Sequence, residues 1–210
     1  MRSSQGIDSR ILAPGAVLLP GFARADAEAL LAEVIEIAGK APFRRPVTPG
    51  GYSMSVGLTS CGRRGWVSDA NGYRYAAGNP ATGESWPPMP ERFRHLAEHA
   101  AECAGFPGFA PDACLINRYY PGSRMSLHQD RNERDLEAPV VSVSLGLPAV
   151  FMLGGLRRRD RPVHLLLRHG DIVVWGGAAR LRFHGVQPLK AGHHPLTGGQ
   201  RVNLTFRKSL

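Results

Sequence analysis

The second half of the chain alternates. Ala113–Tyr119, Val140–Gly146, Ala149–Leu153, Val163–Leu167, Ile172–Trp175 and Arg201–Arg207 are short runs rich in β-branched and aromatic residues, separated by Gly and Pro turns. The last run is the most regular. Val202, Leu204 and Phe206 alternate with Arg201, Asn203, Thr205 and Arg207, a period of two that gives one apolar and one polar face. Residues 138–156 carry no charge, which raises a membrane span as a question. Pro139, Pro148 and the alternating Val141-Ser142-Val143-Ser144 answer it: the pattern predicts two buried strands with a turn between them.

The first half has a different period. Residues 16–19 read as a short strand, and a helix is predicted over 25–38, with Leu30, Leu31, Val34 and Ile37 on one face and Gly39 and Pro42 ending it. A second helix is predicted over 90–104, with Pro90 in its first turn, Phe93, Leu96, Ala97, Ala100 and Ala104 inward, and Gly105 as its stop. His95 and His99 sit one turn apart on that helix and read as a solvated face. Between the helices, residues 43–88 are rich in Gly and Pro and weakly periodic. Tyr52, Trp66, Tyr73, Tyr75 and Trp86 argue that this segment is ordered and functional. The predicted class is mainly β with flanking helices, a sandwich or jelly roll, in a single domain over 1–210.

Charge changes the picture more than hydropathy does. The net charge is +9 with a sequence pI near 10.2, and only Lys40, Lys190 and Lys208 among the 26 basic residues are not arginine. Such a balance favours polyanionic partners, nucleic acid before an anionic membrane surface, although an arginine-rich composition alone also produces it. Cys61, Cys103 and Cys114 are few, odd in number and not in metal or disulfide spacing, which suits a reducing compartment. Met1 to Arg10 is polar and lacks an apolar signal core, so the expectation is a cytoplasmic protein with no membrane association.

His128-Gln129-Asp130 and His184 make up a two-histidine, one-carboxylate ligand set for a metal ion such as iron. On a strand, residues two apart share a face, so His128 and Asp130 could hold one ion together, with His184 arriving from another strand or loop. Three protein ligands leave open positions for a co-substrate and dioxygen. The arginines of the last strand suit a carboxylate, because a planar guanidinium matches it bidentately. 2-Oxoglutarate satisfies both halves of that argument, with a keto acid for the metal and a distal carboxylate for an Arg. A rival pair, His169-Gly170-Asp171, reads instead as a turn entering a buried strand, with Asp171 bonding local backbone. His164, His193 and His194 have no nearby carboxylate and read as surface or turn residues. A zinc hydrolase would need a general base beside the triad, and none is evident.

Several segments carry a wider resemblance: Val47-Thr48-Pro49-Gly50-Gly51-Tyr52, Pro111-Asp112-Ala113-Cys114-Leu115-Ile116-Asn117-Arg118-Tyr119, Ser126-Leu127-His128-Gln129-Asp130, Val141-Ser142-Val143-Ser144-Leu145-Gly146, His169-Gly170-Asp171 and Asn203-Leu204-Thr205-Phe206-Arg207. With these, the chain closely resembles the AlkB family of iron- and 2-oxoglutarate-dependent dioxygenases, from about residue 16 to 207. The resemblance implies a double-stranded β-helix (jelly-roll) catalytic core over about 111–207 and an N-terminal nucleotide-recognition lid over about 43–88. It implies Fe(II) on His128, Asp130 and His184. It places 2-oxoglutarate among Asn117, Tyr119, Arg201, Asn203 and Arg207, with Arg207 on the distal carboxylate. Trp66 would stack on the target base opposite His128, Tyr73 and Thr48 would contact substrate backbone, and Asn132 would lie near the base. The positive charge adds Arg158, with Arg157, Arg159, Arg161, Arg131 and Arg134, as candidates for phosphate contacts, the alternative for the Arg157 cluster being a solvated β-turn, while Leu58 and Met125 only pack.

The implied activity is oxidative demethylation of N-alkylated bases of the 1-methyladenine and 3-methylcytosine type, with Fe(II), 2-oxoglutarate and dioxygen as cofactor and co-substrates. Single-stranded DNA is the expected substrate, with RNA and duplex DNA beside it, and the protein is expected to be a monomer. Rival readings are a related dioxygenase acting on RNA or protein, and a non-catalytic binder of damaged nucleic acid. A binder has no need for a complete triad and Arg207. One position departs from the family. Two residues after Asp130 the family usually has an acidic residue, and this chain has Asn132 followed by Glu133. An amide both donates and accepts, whereas a carboxylate only accepts, so lesion preference is expected to shift.

Overall fold

The computed structural model describes residues 8–210; Met1–Ile7 of the polar N-terminal stretch lie outside them. In chain order the elements are β1 (Arg10–Ala13), β2 (Ala16–Leu19), α1 (Ala27–Lys40), β3 (Gly57–Gly62), β4 (Gly65–Asp69), β5 (Gly72–Ala76) and α2 (Glu91–Cys103). Then follow β6 (Ala113–Tyr119), β7 (Met125–His128), β8 (Val140–Gly146), β9 (Ala149–Leu153), β10 (Val163–Leu167), β11 (Ile172–Trp175), β12 (His184–Val186) and β13 (Arg201–Arg207). The strands form a seven-stranded sheet in the order β1-β2-β11-β8-β13-β6-β3, a four-stranded sheet in the order β10-β9-β12-β7, and the β4-β5 hairpin. Every pairing is antiparallel.

The two larger sheets make a jelly roll. Leu115, Val173 and Trp175 of the large sheet share an apolar cluster with Phe151, Leu153, Leu165 and Val186 of the small one. The opposite face of the large sheet, with Ile116, Val143, Ile172, Leu204 and Phe206, buries against Leu30, Val34 and Ile37 of α1 and Phe93, Leu96 and Ala97 of α2. Burial of roughly 25 cal/mol per Å² of apolar surface on both faces makes the large sheet the rigid frame of the molecule. The chargeless stretch 138–156 is strands β8 and β9, and among the described residues no helix is long and apolar enough to cross a membrane.

Both helices differ slightly from their predicted bounds. α1 runs two residues later at each end, since Gly39 is tolerated within the last turn and Pro42 does the stopping. Asp26 makes no side-chain cap; its carboxylate accepts from Arg92 of α2 at 3.2 Å. Six strands were not legible. β7 and β12 are too short for a period, and β3 reads as polar (GLTSCG) though its first five residues are buried. Gly185 is needed in β12, because a Cβ there would lie 2.7 Å from the Met125 carbonyl oxygen on β7. This close approach brings the two histidine-bearing strands together.

Candidate metal centre and its polar pocket

His128 ends β7 and His184 begins β12, and the two are register partners across that ladder. The strand expected to run through Asp130 stops at His128, so Asp130 is carried by the loop that follows. Hydrogen bonds do the positioning that a strand would have done. Arg207 donates to Asp130 Oδ2 from Nε at 2.9 Å and from Nη2 at 2.7 Å, and Arg180 Nη1 donates to the Asp130 carbonyl at 2.6 Å. Each histidine is oriented by a carbonyl two residues earlier: His128 Nδ1 lies 2.8 Å from Ser126 O, and His184 Nδ1 lies 3.1 Å from Arg182 O. A carbonyl only accepts, so Nδ1 must carry the proton and Nε2 keeps its lone pair for a metal.

Those lone pairs converge. His128 Nε2 is 3.7 Å from Asp130 Oδ1, His184 Nε2 is 3.6 Å from Asp130 Oδ2, and the three ligand atoms lie within 4.8 Å of one another. Metal–nitrogen and metal–oxygen bonds of about 2 Å span such gaps with a single ion. Electrostatics favours the ligating forms. Burial, helped by the neighbouring His128, pushes His184 down to about 4, against the opposing pull of Asp130, so its ring is neutral at physiological pH. Burial works against the Asp130 carboxylate, but Arg207, His184 and His128 outweigh it and hold the group well below the usual carboxylate range.

A polar pocket opens beside the triad, lined by Asn117, Tyr119, Arg201, Asn203, Thr205, Arg207 and Ser142, with Phe151, Met125 and Trp175 completing the wall. All five residues expected to surround 2-oxoglutarate are therefore in one cavity with His128 and His184. The register of β13 on β6 sets them opposite one another, Arg201 with Tyr119 and Asn203 with Asn117. Asn117 Nδ2 donates to Asn203 Oδ1 at 3.0 Å, and Asn203 Nδ2 donates to Ser142 Oγ at 2.8 Å and Val143 O at 2.9 Å. Arg201 is 1% exposed; its Nη2 donates to Ser144 Oγ at 3.0 Å and its guanidinium lies over the Tyr119 ring at 5.0 Å. Burial pulls Arg201 down from the ordinary arginine value, with Tyr119 opposing it.

Five buried side-chain atoms in this pocket have no hydrogen-bond partner among the described residues: Arg201 Nε and Nη1, Arg207 Nη1, Asn117 Oδ1 and Trp175 Nε1. Such orphans are costly unless a ligand satisfies them, and four of the five are donors.

The residues expected to touch substrate lie outside this pocket. Trp66 on β4 and Tyr73 on β5 stack with ring centroids 5.5 Å apart and 17° between planes, so Tyr73 takes one face of the indole. Thr48 sits in a turn, where its Oγ1 accepts from the Tyr52 amide at 3.2 Å. Asn132 is exposed and its Nδ2 donates to Tyr73 O at 3.3 Å. Arg158 is exposed in the turn between β9 and β10, 5.8 Å over the Phe183 ring, and Asp160 accepts from the Arg157 amide in the same turn. Asp171 bonds the amides of Arg168 and Gly21, which makes His169-Gly170-Asp171 the turn that its sequence indicates.

Sequence reasoning missed Tyr75, Arg180 and Glu133 as parts of the site. Arg180 and Glu133 form a buried pair at 3.0 Å, Arg207 Nε lies 3.4 Å from Glu133 Oε1, and Tyr75 donates to that same oxygen at 2.7 Å. Nothing in the sequence marks Arg180, in a run of Gly, Ala and Arg, as the one arginine there that is buried.

The model of the 2OG-Fe(II) oxygenase superfamily matches residues 15–207. The chain is 57% identical over 198 residues to the alpha-ketoglutarate-dependent dioxygenase AlkB of Escherichia coli, covering 94% of this chain and 92% of that protein. It is 28% identical over 238 residues to the DNA N(6)-methyladenine demethylase ALKBH1C of Arabidopsis thaliana, covering 99% of this chain and 51% of that one. Among solved structures it superposes on OsALKBH1 with a TM-score of 0.86 at 30% identity, covering 96% of this chain and all of that one. The His128-Asp130-His184 cluster fits the iron, and the orphaned donors beside it fit the dicarboxylate, that this superfamily uses. The chain thus belongs to the 2OG-Fe(II) oxygenase superfamily and, within it, to the AlkB family of Fe(II)- and 2-oxoglutarate-dependent dioxygenases.

Proposed function

We propose that this protein removes N-linked methyl groups from alkylated bases in nucleic acid, with single-stranded DNA as its main substrate and RNA and duplex DNA beside it. The observation that carries the reading is the buried Arg201, a cation without a counter-anion among the described residues, lining a pocket that opens on the two histidines. His128, Asp130 and His184 hold Fe(II), which with 2-oxoglutarate and dioxygen supplies the oxidising power that hydroxylates the methyl group, so that it leaves as formaldehyde.

The chain's own residues bind, orient and exclude water. Arg201 takes the distal carboxylate of 2-oxoglutarate, with Tyr119 and Asn203 flanking it. This differs from the expectation that Arg207 would do so: Arg207 already bonds Asp130 and lies beside Glu133, which leaves Nη1 as its one nitrogen without a partner among the described residues. Nη1 takes the keto acid end in this reading. Trp175 and Phe151 wall the pocket and keep bulk water from the reacting carbon.

The segment 43–88 acts as a lid over the base. A base inside a duplex cannot reach a pocket walled by two sheets, so the target is single-stranded or flipped out. The free face of Trp66 and the exposed ring of Tyr73 offer stacking worth roughly 1–3 kcal/mol per base and tolerant of base identity. The net charge of +9, with Arg131, Arg134, Arg157, Arg158, Arg159 and Arg161 exposed, supplies phosphate contacts that weaken with salt. The protein acts as a cytoplasmic monomer.

The test is formaldehyde release from single-stranded DNA, duplex DNA and single-stranded RNA each carrying one 1-methyladenine, and from an N-methylated peptide, each with wild type and His128→Ala. Release from single-stranded DNA that needs Fe(II), 2-oxoglutarate and dioxygen and is lost in the variant supports the reading. Release only from RNA or from the peptide moves the substrate class, and absence of both formaldehyde and succinate returns the binder.

A further inference from the structure

Strand β5 is stitched to the metal-bearing loop at two adjacent residues. Asn132 Nδ2 donates to the Tyr73 carbonyl at 3.3 Å, and Tyr75 donates its hydroxyl to Glu133 Oε1 at 2.7 Å. Among the described residues these are the only side-chain hydrogen bonds that join the hairpin 65–76 to residues outside 43–88. The others it makes, Ser68 to Val47 O, the Asn71 amide and Arg74 to Asp69, and Trp86 to Ala76 O, stay within the segment. The two stitches are unequal. The Asn132 bond is exposed and long, whereas the Tyr75 bond is short, part-buried and made to a carboxylate.

Beyond Tyr75 the contacts run straight to the metal carboxylate. Glu133 is buried and its Oε2 accepts from Arg180 Nη2 at 3.0 Å. Arg207 Nε, 3.4 Å from Glu133 Oε1, donates to Asp130 Oδ2 at 2.9 Å. Arg180 also donates to the carbonyls of Asp130 and Ala138, which pins the loop at both ends. Two carboxylates and two guanidiniums thus share one buried cluster, and Tyr75 is the group that the lid hairpin contributes to it. Inside such a cluster a lost donor is felt by every member, because screening is weak.

We propose that Tyr75 is a positioning residue that couples the lid hairpin to the iron centre, through Glu133 and Arg207, for the reaction proposed above. With the hairpin seated on nucleic acid, Tyr75 holds Glu133, Glu133 holds Arg207, and Arg207 occupies Asp130 Oδ2 so that Oδ1 faces His128 and the metal. With the hairpin lifted, Glu133 loses a donor and competes for Arg207, and the carboxylate is less firmly aimed. The coupling is reciprocal: whatever orders the metal end must also order the hairpin.

Tyr75→Phe removes only the hydroxyl, and Glu133→Gln keeps the side-chain shape while removing the charge. The binding test is amide hydrogen exchange of the hairpin 65–76 in protein loaded with Mn(II), without and with 2-oxoglutarate. Wild type should slow by about tenfold on adding the ligand, within the usual range of such couplings. The hairpin of Tyr75→Phe should not respond, and Glu133→Gln should behave likewise, while strand β6 exchanges alike in all three. The turnover test is the ratio of succinate formed to formaldehyde released on single-stranded 1-methyladenine DNA. It should stay near one in wild type and rise severalfold in Tyr75→Phe, since oxidation then proceeds without a held base; a merely structural role would lower both products together. A hairpin response in Tyr75→Phe equal to wild type, or none in wild type, overturns the coupling. The exchange test uses no base, so failure of the demethylation reading itself would show separately, as wild type releasing no formaldehyde.

Discussion

The two ends of strand β13 carry the same side chain on the same polar face, in opposite electrostatic states. At one end Arg207 is spent: Asp130 and Glu133 both neutralise it, and Glu133 in turn is shared with Arg180. At the other end, six residues earlier, Arg201 is as deeply buried but touches only a serine hydroxyl and the face of a tyrosine, with two of its donors unbonded. A buried charge that has its counter-charge in the protein is part of the frame. One that lacks it is a binding site, because only a ligand can repay its desolvation. Residue type and burial are equal at the two ends, so the difference lies in the partner.

The largest effect should come from the spent end. Arg207→Met leaves Asp130 and Glu133 facing each other with one cation fewer, and should lower the unfolding free energy by about 3–5 kcal/mol in a denaturant titration of the metal-free protein. The same end should show in pH. In the folded, metal-free protein His184 is held near 4 against 6.5 when unfolded, so the unfolded state binds the extra proton first. Stability from this group is complete above pH 6.5 and is lost as pH falls toward 4, by about 3 kcal/mol over that window. Asp130 has the same sign lower down, since its folded value lies below its ordinary 3.8 and its stabilisation disappears only in stronger acid. Thermal melts of wild type and His184→Asn between pH 7 and 4 check this, and the variant should lose most of the slope above pH 4.

The waiting end should behave in reverse. Arg201→Met should leave stability unchanged or raised, since it removes an unpaired buried charge, while 2-oxoglutarate binding to Mn(II)-loaded protein weakens by roughly a hundredfold in calorimetry. If Arg201→Met unfolds the protein as Arg207→Met does, the contrast between the two ends is broken. The smallest effect belongs to Asn132→Asp. The amide that donates to Tyr73 O is exchanged for a group that cannot, and the relative turnover of 1-methyladenine and 3-methylcytosine should move by a few-fold. An unchanged ratio would remove Asn132 from the account of lesion choice.

How much of this was legible follows from where the information lies. Strands β6, β8, β9, β10, β11 and β13 were readable to their ends, because each is a largely apolar or alternating run with Gly or Pro close by, and β13 declares its two faces by strict alternation. His128 and His184 were readable as ligands from residue type, yet their meeting was not, since it depends on β7 and β12, which are four and three residues long. The β4-β5 turn is Ala70-Asn71, with Gly72 entering β5 at a positive φ of 107°; Asn-Gly there is a sequence signal for a hairpin, although Asn71 itself does not take the positive φ of an Asn-Gly type I′ turn. Arg201 and Arg207 look alike in sequence. Their division of labour is set by Asp130 and Glu133, which come from a loop with no period at all. Charged partners of that kind are long-range and one-to-one, so no local pattern carries them.

The most direct measurement is the mass of a single-stranded oligonucleotide bearing one 1-methyladenine, before and after incubation with the protein, Fe(II), 2-oxoglutarate and air. The account predicts the loss of one CH2 unit, matched by equal amounts of succinate and formaldehyde, and no loss when any one component is left out or when Arg201→Met is used at low 2-oxoglutarate. An unchanged oligonucleotide while succinate accumulates would contradict the assignment of alkylated bases as the substrate.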